Sequence, residues 1–122
     1  MSLLGFKKQF AGPVELRIKR QTIRAKCQGH VVGRPIQLYT GLRNKSCRKL
    51  VDEDPICTSI EAITIHHWCK AVMVDGLVIE RDALALFAAA DGFASVEEFF
   101  AFFPQDKHGA DFAGWLIKWD WP

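Results

Sequence analysis

The first fifty residues hold almost no acid: Glu15 stands alone there against twelve lysines and arginines. Long apolar runs are missing too, the longest being stretches such as Ala83–Ala90. A helix crossing a bilayer needs about 20 such residues, so a spanning helix is excluded. The N-terminus lacks an apolar stretch of signal-peptide length, which reads as a cytoplasmic address. No two of the four cysteines, Cys27, Cys47, Cys57 and Cys69, stand at C-x-x-C spacing. Structural zinc sites draw on such tight pairs. Even with His66 and His67 nearby, the scattered thiols read as reduced side chains with no metal and no cofactor to hold, as expected in the cytoplasm. Cys57 and Cys69 read as small core residues. No repeat or low-complexity segment is present.

What remains is globular composition. The chain has 122 residues, 49% hydrophobic and 25% charged, enough for one domain spanning 1–122 with its own core. Its charge is unevenly placed. Residues 1–50 carry a net +11, and residues 51–122, with thirteen acids and four bases, carry −9. One face that attracts polyanions is the expectation, and RNA or a nucleotide the expected partner. The acidic half is a candidate surface for a protein partner. Mutual neutralisation of the halves across the fold is the bland alternative.

Periodicity outlines a mixed α and β domain. Phe6–Phe10 reads as a short strand, broken at Gly12-Pro13, with Pro13 suited to a first helical turn. Val14–Ile18 fits a strand or a short helix. Gln21–Lys26 and Ile36–Thr40 read as extended, and 42–54 as a loop. Ile56–Ile65 alternates, with Ile56, Thr58, Ile60, Ala62 and Thr64 on one face. Asp75-Gly76 between apolar runs predicts a type I′ hairpin turn. Asp82 is placed to cap a helix that runs to about Ala90 and stops at Gly92. Ser95-Val96-Glu97-Glu98 fits a capping box, opening a helix through Phe103 that Pro104 ends. Phe112–Trp121 reads as a closing strand. Short, closely spaced strands with two helices suggest a small barrel.

Lys19-Arg20-Gln21-Thr22-Ile23-Arg24 resembles the K-x-x-T-I-R signature of the ASCH domain, a relative of the PUA fold. The surrounding order agrees: a glycine and a strand after it (Gly33, Ile36–Thr40), then Asp91-Gly92-Phe93 before a helix, then Trp115–Trp119 in a final strand. The resemblance covers essentially the whole chain. It implies an α+β fold, a small PUA-like β-barrel with two short helices packed across one side. It also implies RNA- or nucleotide-directed function. The family includes an amidohydrolase of acetylated cytidine that uses a Lys, a Thr and a Glu, and members reported to bind or cut RNA. By position these fall on Lys19, Thr22 and Asp91. The aspartate is shorter than the family's glutamate by one C–C bond, about 1.5 Å.

Two functional classes follow. A binding module needs a basic cleft around Lys19, Thr22, Arg24 and Asp91. Its phosphate contacts would come from Arg20, Arg24, Arg43, Lys45, Arg48 and Lys49, with Tyr39 to stack on a base. A metal-independent hydrolase, acting on an acylated nucleoside or on RNA, needs Thr22 as nucleophile, Lys19 as base or charge stabiliser, and Asp91 to orient it. Thr22 and Arg24, two apart on a strand, share a face. Lys19 joins them only from a turn entering that strand. The shorter acid favours the binding module.

Overall fold

The computed structural model describes residues 2–27, 29–103 and 111–122. Along the chain lie β1 (Leu3–Phe6), α1 (Lys8–Glu15), β2 (Gln21–Arg24), β3 (Gln37–Thr40), β4 (Arg48–Lys49) and β5 (Ile56–His66). They are followed by β6 (Ala71–Val74), β7 (Leu77–Val78), α2 (Arg81–Ala90), α3 (Val96–Phe102) and β8 (Phe112–Asp120). Among the described residues, no helix is long and apolar enough to cross a membrane.

The two longest strands, β5 and β8, pair antiparallel from Ile56↔Asp120 to Ile65↔Phe112. They are the spine of a five-stranded sheet ordered β2-β8-β5-β6-β7. The register shifts between Cys57 and Ser59, and the most deeply buried side chains of β5 are Cys57, Ile63 and Ile65. These are not the even-numbered set that alternation picks out. On β8, Ile117 and Trp119 face one way and Leu116 the other, and all three are buried. Both faces of the sheet are therefore covered at this end. The expected hairpin is present: Asp75 (φ 51°) and Gly76 (φ 80°) connect β6 to β7, with Val74 opposite Leu77.

A second sheet, ordered β1-β3-β4, has β1 parallel to β3 and β4 antiparallel to it. Phe6 of β1 meets Trp119 of β8 edge-on, with ring centroids 5.9 Å apart, which helps seat one sheet on the other. Among the described residues the expected PUA-like β-barrel does not form: the strands divide into sheets of three and five with three helices, not two, and an isolated bridge, Pro35–Ile56, links the sheets. Ile36 N donates to Pro55 O, and Cys57 N donates to Arg34 O, each at 2.9 Å. Pro55, across from Ile36, has no N–H to return to Ile36 O, and the pairing at this corner stops at a single bridge.

The expected strand Phe6–Phe10 divides in two. It ends at Phe6, and from Lys8 the buried residues Phe10, Ala11 and Val14 follow a helical spacing. Helix α1 closes with Arg17 at φ 61°, where Arg17 N donates to Val14 O and Ile18 N to Pro13 O. This is a Schellman closure with an arginine in the place usually given to glycine. Helix α2 starts after Glu80, so Asp82 lies within its first turn and is not its cap. The Ser95 hydroxyl caps α3, accepting from Glu98 N at 3.1 Å, while Glu98 Oε2 accepts from Ala94 N at 3.3 Å. Helix α3 ends at Phe102; Pro104, expected to end it, lies outside the described residues. Of the four free thiols, Cys57 is buried, but Cys69 is exposed and is no core residue.

Candidate functional site

The turn after α1 sets the first functional side chain. Lys19 N donates to Pro13 O at 3.0 Å, which fixes Lys19 just ahead of β2, outside the strand's strict alternation. Lys19 and Thr22 thus line one cavity although three positions separate them. Thr22 and Arg24 share a face of β2, and Arg24 Nε donates to Thr22 Oγ1 at 3.1 Å. Arg24 Nη2 donates to Gly5 O at 2.7 Å, tying β2 to β1 of the other sheet.

Asp91 arrives from 72 residues away, as the residue closing α2. The Lys19 ammonium donates to the Asp91 main-chain carbonyl, and to Asp91 Oδ1 at 3.3 Å. A cation suits a helix C-terminus, where the backbone carbonyls leave partial negative charge. Gly92, at φ 95°, makes the approach possible. A Cβ there would sit 2.9 Å from Phe10 Cδ1 and 3.1 Å from Lys19 Cδ. The Lys19 and Asp91 side chains are each only 3% exposed. Gln21 Nε2 is buried close to Asp91 and, among the described residues, meets no acceptor in full hydrogen-bond geometry.

These groups floor a cavity of ≈ 240 Å³ whose walls are Phe6, Phe10, Phe93, Phe102 and Phe103. Lys19 Nζ lies 5.0 Å from the Phe10 ring centroid, and Arg24 Cζ 5.1 Å from that of Phe6, distances at which a cation is attracted to a ring face. Gly5, Phe6, Lys7 and Arg24 belong both to this cavity and to a wider groove of ≈ 790 Å³. The groove runs past Lys8, Thr40, Arg43, Asn44 and Arg48.

Burial opposes both charges on the cavity floor. It pushes Lys19 from 10.5 down to about 8, against the pull of Asp91. It lifts Asp91 from 3.8 to about 6, against the pull of Lys19 and, more weakly, Arg24. Burial also lowers Arg24, with Asp91 opposing. Near pH 7 the pair is ionised, but each member is within about one unit of changing state. Groups shifted in this way and placed in a cleft are candidates for a functional site.

Lys19, Thr22, Arg24 and Asp91 converge as the sequence order implies. The other expected contacts divide between the groove and the far side. Arg43 and Arg48 line the groove, Arg48 also pairing with Glu15 at 3.0 Å. Arg20 does not reach it: its guanidinium is held by Asp120 at 3.0 Å and by Arg17 O at 2.7 Å. Tyr39 and Lys49 are paired across β3 and β4 and face away from Thr40 and Arg48. Lys49 turns to Asp54 at 3.0 Å, and the Tyr39 hydroxyl to Gln37 at 3.5 Å. Lys45 is exposed and lies outside the groove lining. His66 and His67 are engaged elsewhere: His66 Nδ1 with Asp111 Oδ2 at 2.7 Å, and His67 Nε2 with Phe103 O at 2.7 Å.

Sequence reading misses Lys7 and Lys8 and the ring of phenylalanines as parts of the site. The lysine pair directly after Phe6 was the available signal for the groove. The phenylalanines gave none, because an aromatic packed in a core and one walling a cavity look alike in sequence. Comparison of the chain with protein-family models, with curated proteins and with solved structures returned no match.

Proposed function

We propose that the protein binds a nucleotide or a short stretch of RNA, as an ASCH-like domain acting in the cytoplasm. The observation that carries this reading is the joining of two unlike compartments through Arg24: an aromatic-walled cavity with a polar floor, and a basic groove outside it. A cavity of about 150 Å³ is enough for benzene, so ≈ 240 Å³ has room for a nucleobase. A base entering it would stack on phenylalanine and offer its polar edge to Lys19, Asp91 and Thr22. Its phosphate would remain in the groove near Lys7, Lys8, Arg24 and Arg43, where guanidinium and ammonium groups suit it. The K-x-x-T-I-R run followed by Asp91-Gly92-Phe93 supports the same assignment.

Titration calorimetry with nucleosides, nucleoside monophosphates and short single-stranded RNA tests the proposal. The monophosphate should bind more tightly than its nucleoside, and Arg24→Ala should abolish that preference. Equal, weak binding of all three by the folded protein would sink the reading.

A second reading, hydrolysis of an acylated nucleoside, is favoured by one fact: Lys19, Thr22 and Asp91 line the same cavity. Against it, the Thr22 hydroxyl accepts from Arg24 while Lys19 is held by Asp91. No hydrogen bond links nucleophile and base among the described residues, and a nucleophile needs its base within reach. Release of acetate from acetylated cytidine, lost in Thr22→Ala, would establish this reading over the first. Asp91→Glu, which restores the family's acid, should raise any such activity.

A further inference from the structure

A buried amine beside a carboxyl group has a chemistry that ligand binding alone does not use. We infer that Lys19 forms an imine with a small aldehyde that carries a phosphate, with Asp91 carrying the protons. Four observations support this. Lys19 lines the cavity while its side chain is nearly hidden from bulk water. A carboxyl oxygen lies 3.3 Å from it. The walls are phenylalanine, which keeps water sparse around a carbonyl and helps the dehydration that completes an imine. The adjoining groove presents Lys7, Lys8 and Arg43 to a phosphate.

The step balances without any oxidant or reductant. The Lys19 nitrogen lone pair attacks the aldehyde carbon, forming a C–N bond while the carbonyl electrons move to oxygen. One proton passes from nitrogen to that oxygen through Asp91. Asp91, which holds the proton the Lys19 ammonium released on becoming the free amine, then gives that proton to the hydroxyl, the C–O bond breaks, and water leaves. The nitrogen lone pair closes the C=N bond, and the iminium rests against the Asp91 carboxylate. Burial, helped by the Arg24 cation, supplies the free amine the first step needs. With Lys19 near 8, about a tenth of it is unprotonated at pH 7, some hundreds of times the fraction of a solvent-exposed lysine. The charged groups facing Lys19 from the elements packed around it are Asp91 after α2, Arg24 on β2 and Lys7 between β1 and α1.

Pyridoxal 5′-phosphate, an aromatic aldehyde with a phosphate, and deoxyribose 5-phosphate, a small sugar aldehyde, are suitable probes. The folded full chain is incubated with each plus cyanoborohydride, and the reduced adducts are mapped by peptide mass spectrometry. The adduct should concentrate on Lys19, with a rate that climbs through a midpoint near pH 8. Inorganic phosphate should compete, and phosphate-free pyridoxal should react about tenfold more slowly. Asp91→Asn should slow imine formation on the order of a hundredfold. Wild-type labelling and its pH midpoint do not depend on whether that variant folds. Labelling spread over Lys8, Lys26 and Lys45, with none on Lys19 in protein of native circular dichroism, would overturn the inference. So would a Lys19 rate indifferent to phosphate. Adducts on Lys19 that a nucleoside monophosphate fails to displace would leave the imine chemistry standing and count against nucleotide binding.

Discussion

Lys19 and Asp91 are each ionised against the preference of their surroundings, and this has a measurable pH signature. An amine brought from 10.5 to about 8 gives up its proton on folding, so its contribution to stability rises as pH climbs from about 8 toward 10.5. A carboxyl brought from 3.8 to about 6 takes up a proton on folding, so its contribution falls as pH climbs from 3.8 through about 6. Together the two groups support the fold least between about 6 and 8. Thermal unfolding followed across pH should show a shallow dip in that window, which Lys19→Met with Asp91→Asn should flatten. Replacing a buried pair by less polar groups is often neutral or stabilising by about 1–4 kcal/mol. The double variant is therefore expected to melt no lower than wild type while losing ligand. Binding that needs both charges should follow the opposite curve, highest between about 6 and 8. A pH-independent affinity would remove the pair from the recognition surface.

At the scale of elements, the site hangs on how two helices stop. Helix α1 closes through Arg17 and delivers Lys19; helix α2 closes through Gly92 and delivers Asp91. Gly92→Ala adds a Cβ against Phe10 and Lys19 at a backbone angle that alanine resists. Strain and overpacking together should cost about 2 kcal/mol or more, read as a lowered urea midpoint. Ser95→Ala removes only the α3 cap and should cost about 1 kcal/mol. The glycine stop, the Ser95 cap and the Asp75-Gly76 turn were legible in the sequence because each depends on a few adjacent residues. Helix α1 was not, since Gly12-Pro13 reads as a break. A helix of eight residues survives there because Phe10, Ala11 and Val14 pack, and packing outweighs propensity in short helices. The barrel expectation failed for a related reason. Strand existence is written in local alternation, but which edges join depends on contacts such as the proline-bounded corner at Pro35–Ile56. The convergence of Lys19 with Thr22 was legible only as a condition, that Lys19 lie on a turn. The direction of Arg20, Tyr39 and Lys49 was not legible, because each is fixed by a long-range partner or by strand parity.

For the whole molecule, the charge imbalance between halves is partly spent internally. Lys19–Asp91, Arg20–Asp120 and Lys49–Asp54 join the basic half to the acidic one. Lys7, Lys8 and Arg43 form no ion pair among the described residues, and all three border the groove. Affinity for single-stranded RNA should fall with salt, with a log–log slope of about 0.7 for each phosphate neutralised. Lys8→Ala with Arg43→Ala should lower that slope by about 1.4. Arg20→Ala and Lys49→Ala, which alter as much net charge, should leave it nearly unchanged. Equal effects from the two pairs of substitutions would mean that overall charge, not the groove, sets the affinity.

The placement of β2 also governs when the site exists. Thr22 and Arg24 stand on an edge strand whose only ladder partner among the described residues is β8, with Thr22 opposite Ile117 and Arg24 opposite Trp115. Lys19 meets Asp91 across 72 residues of intervening chain. Contacts so distant along the sequence form late, because the loop must close before they repay its entropy. During folding, Lys19 therefore stays hydrated, with an ordinary amine's reactivity, until the chain has nearly finished. A refolding experiment that pulses an amine-selective reagent should find Lys19 protected among the last of the lysines, in step with β8 rather than with its own sequence neighbours.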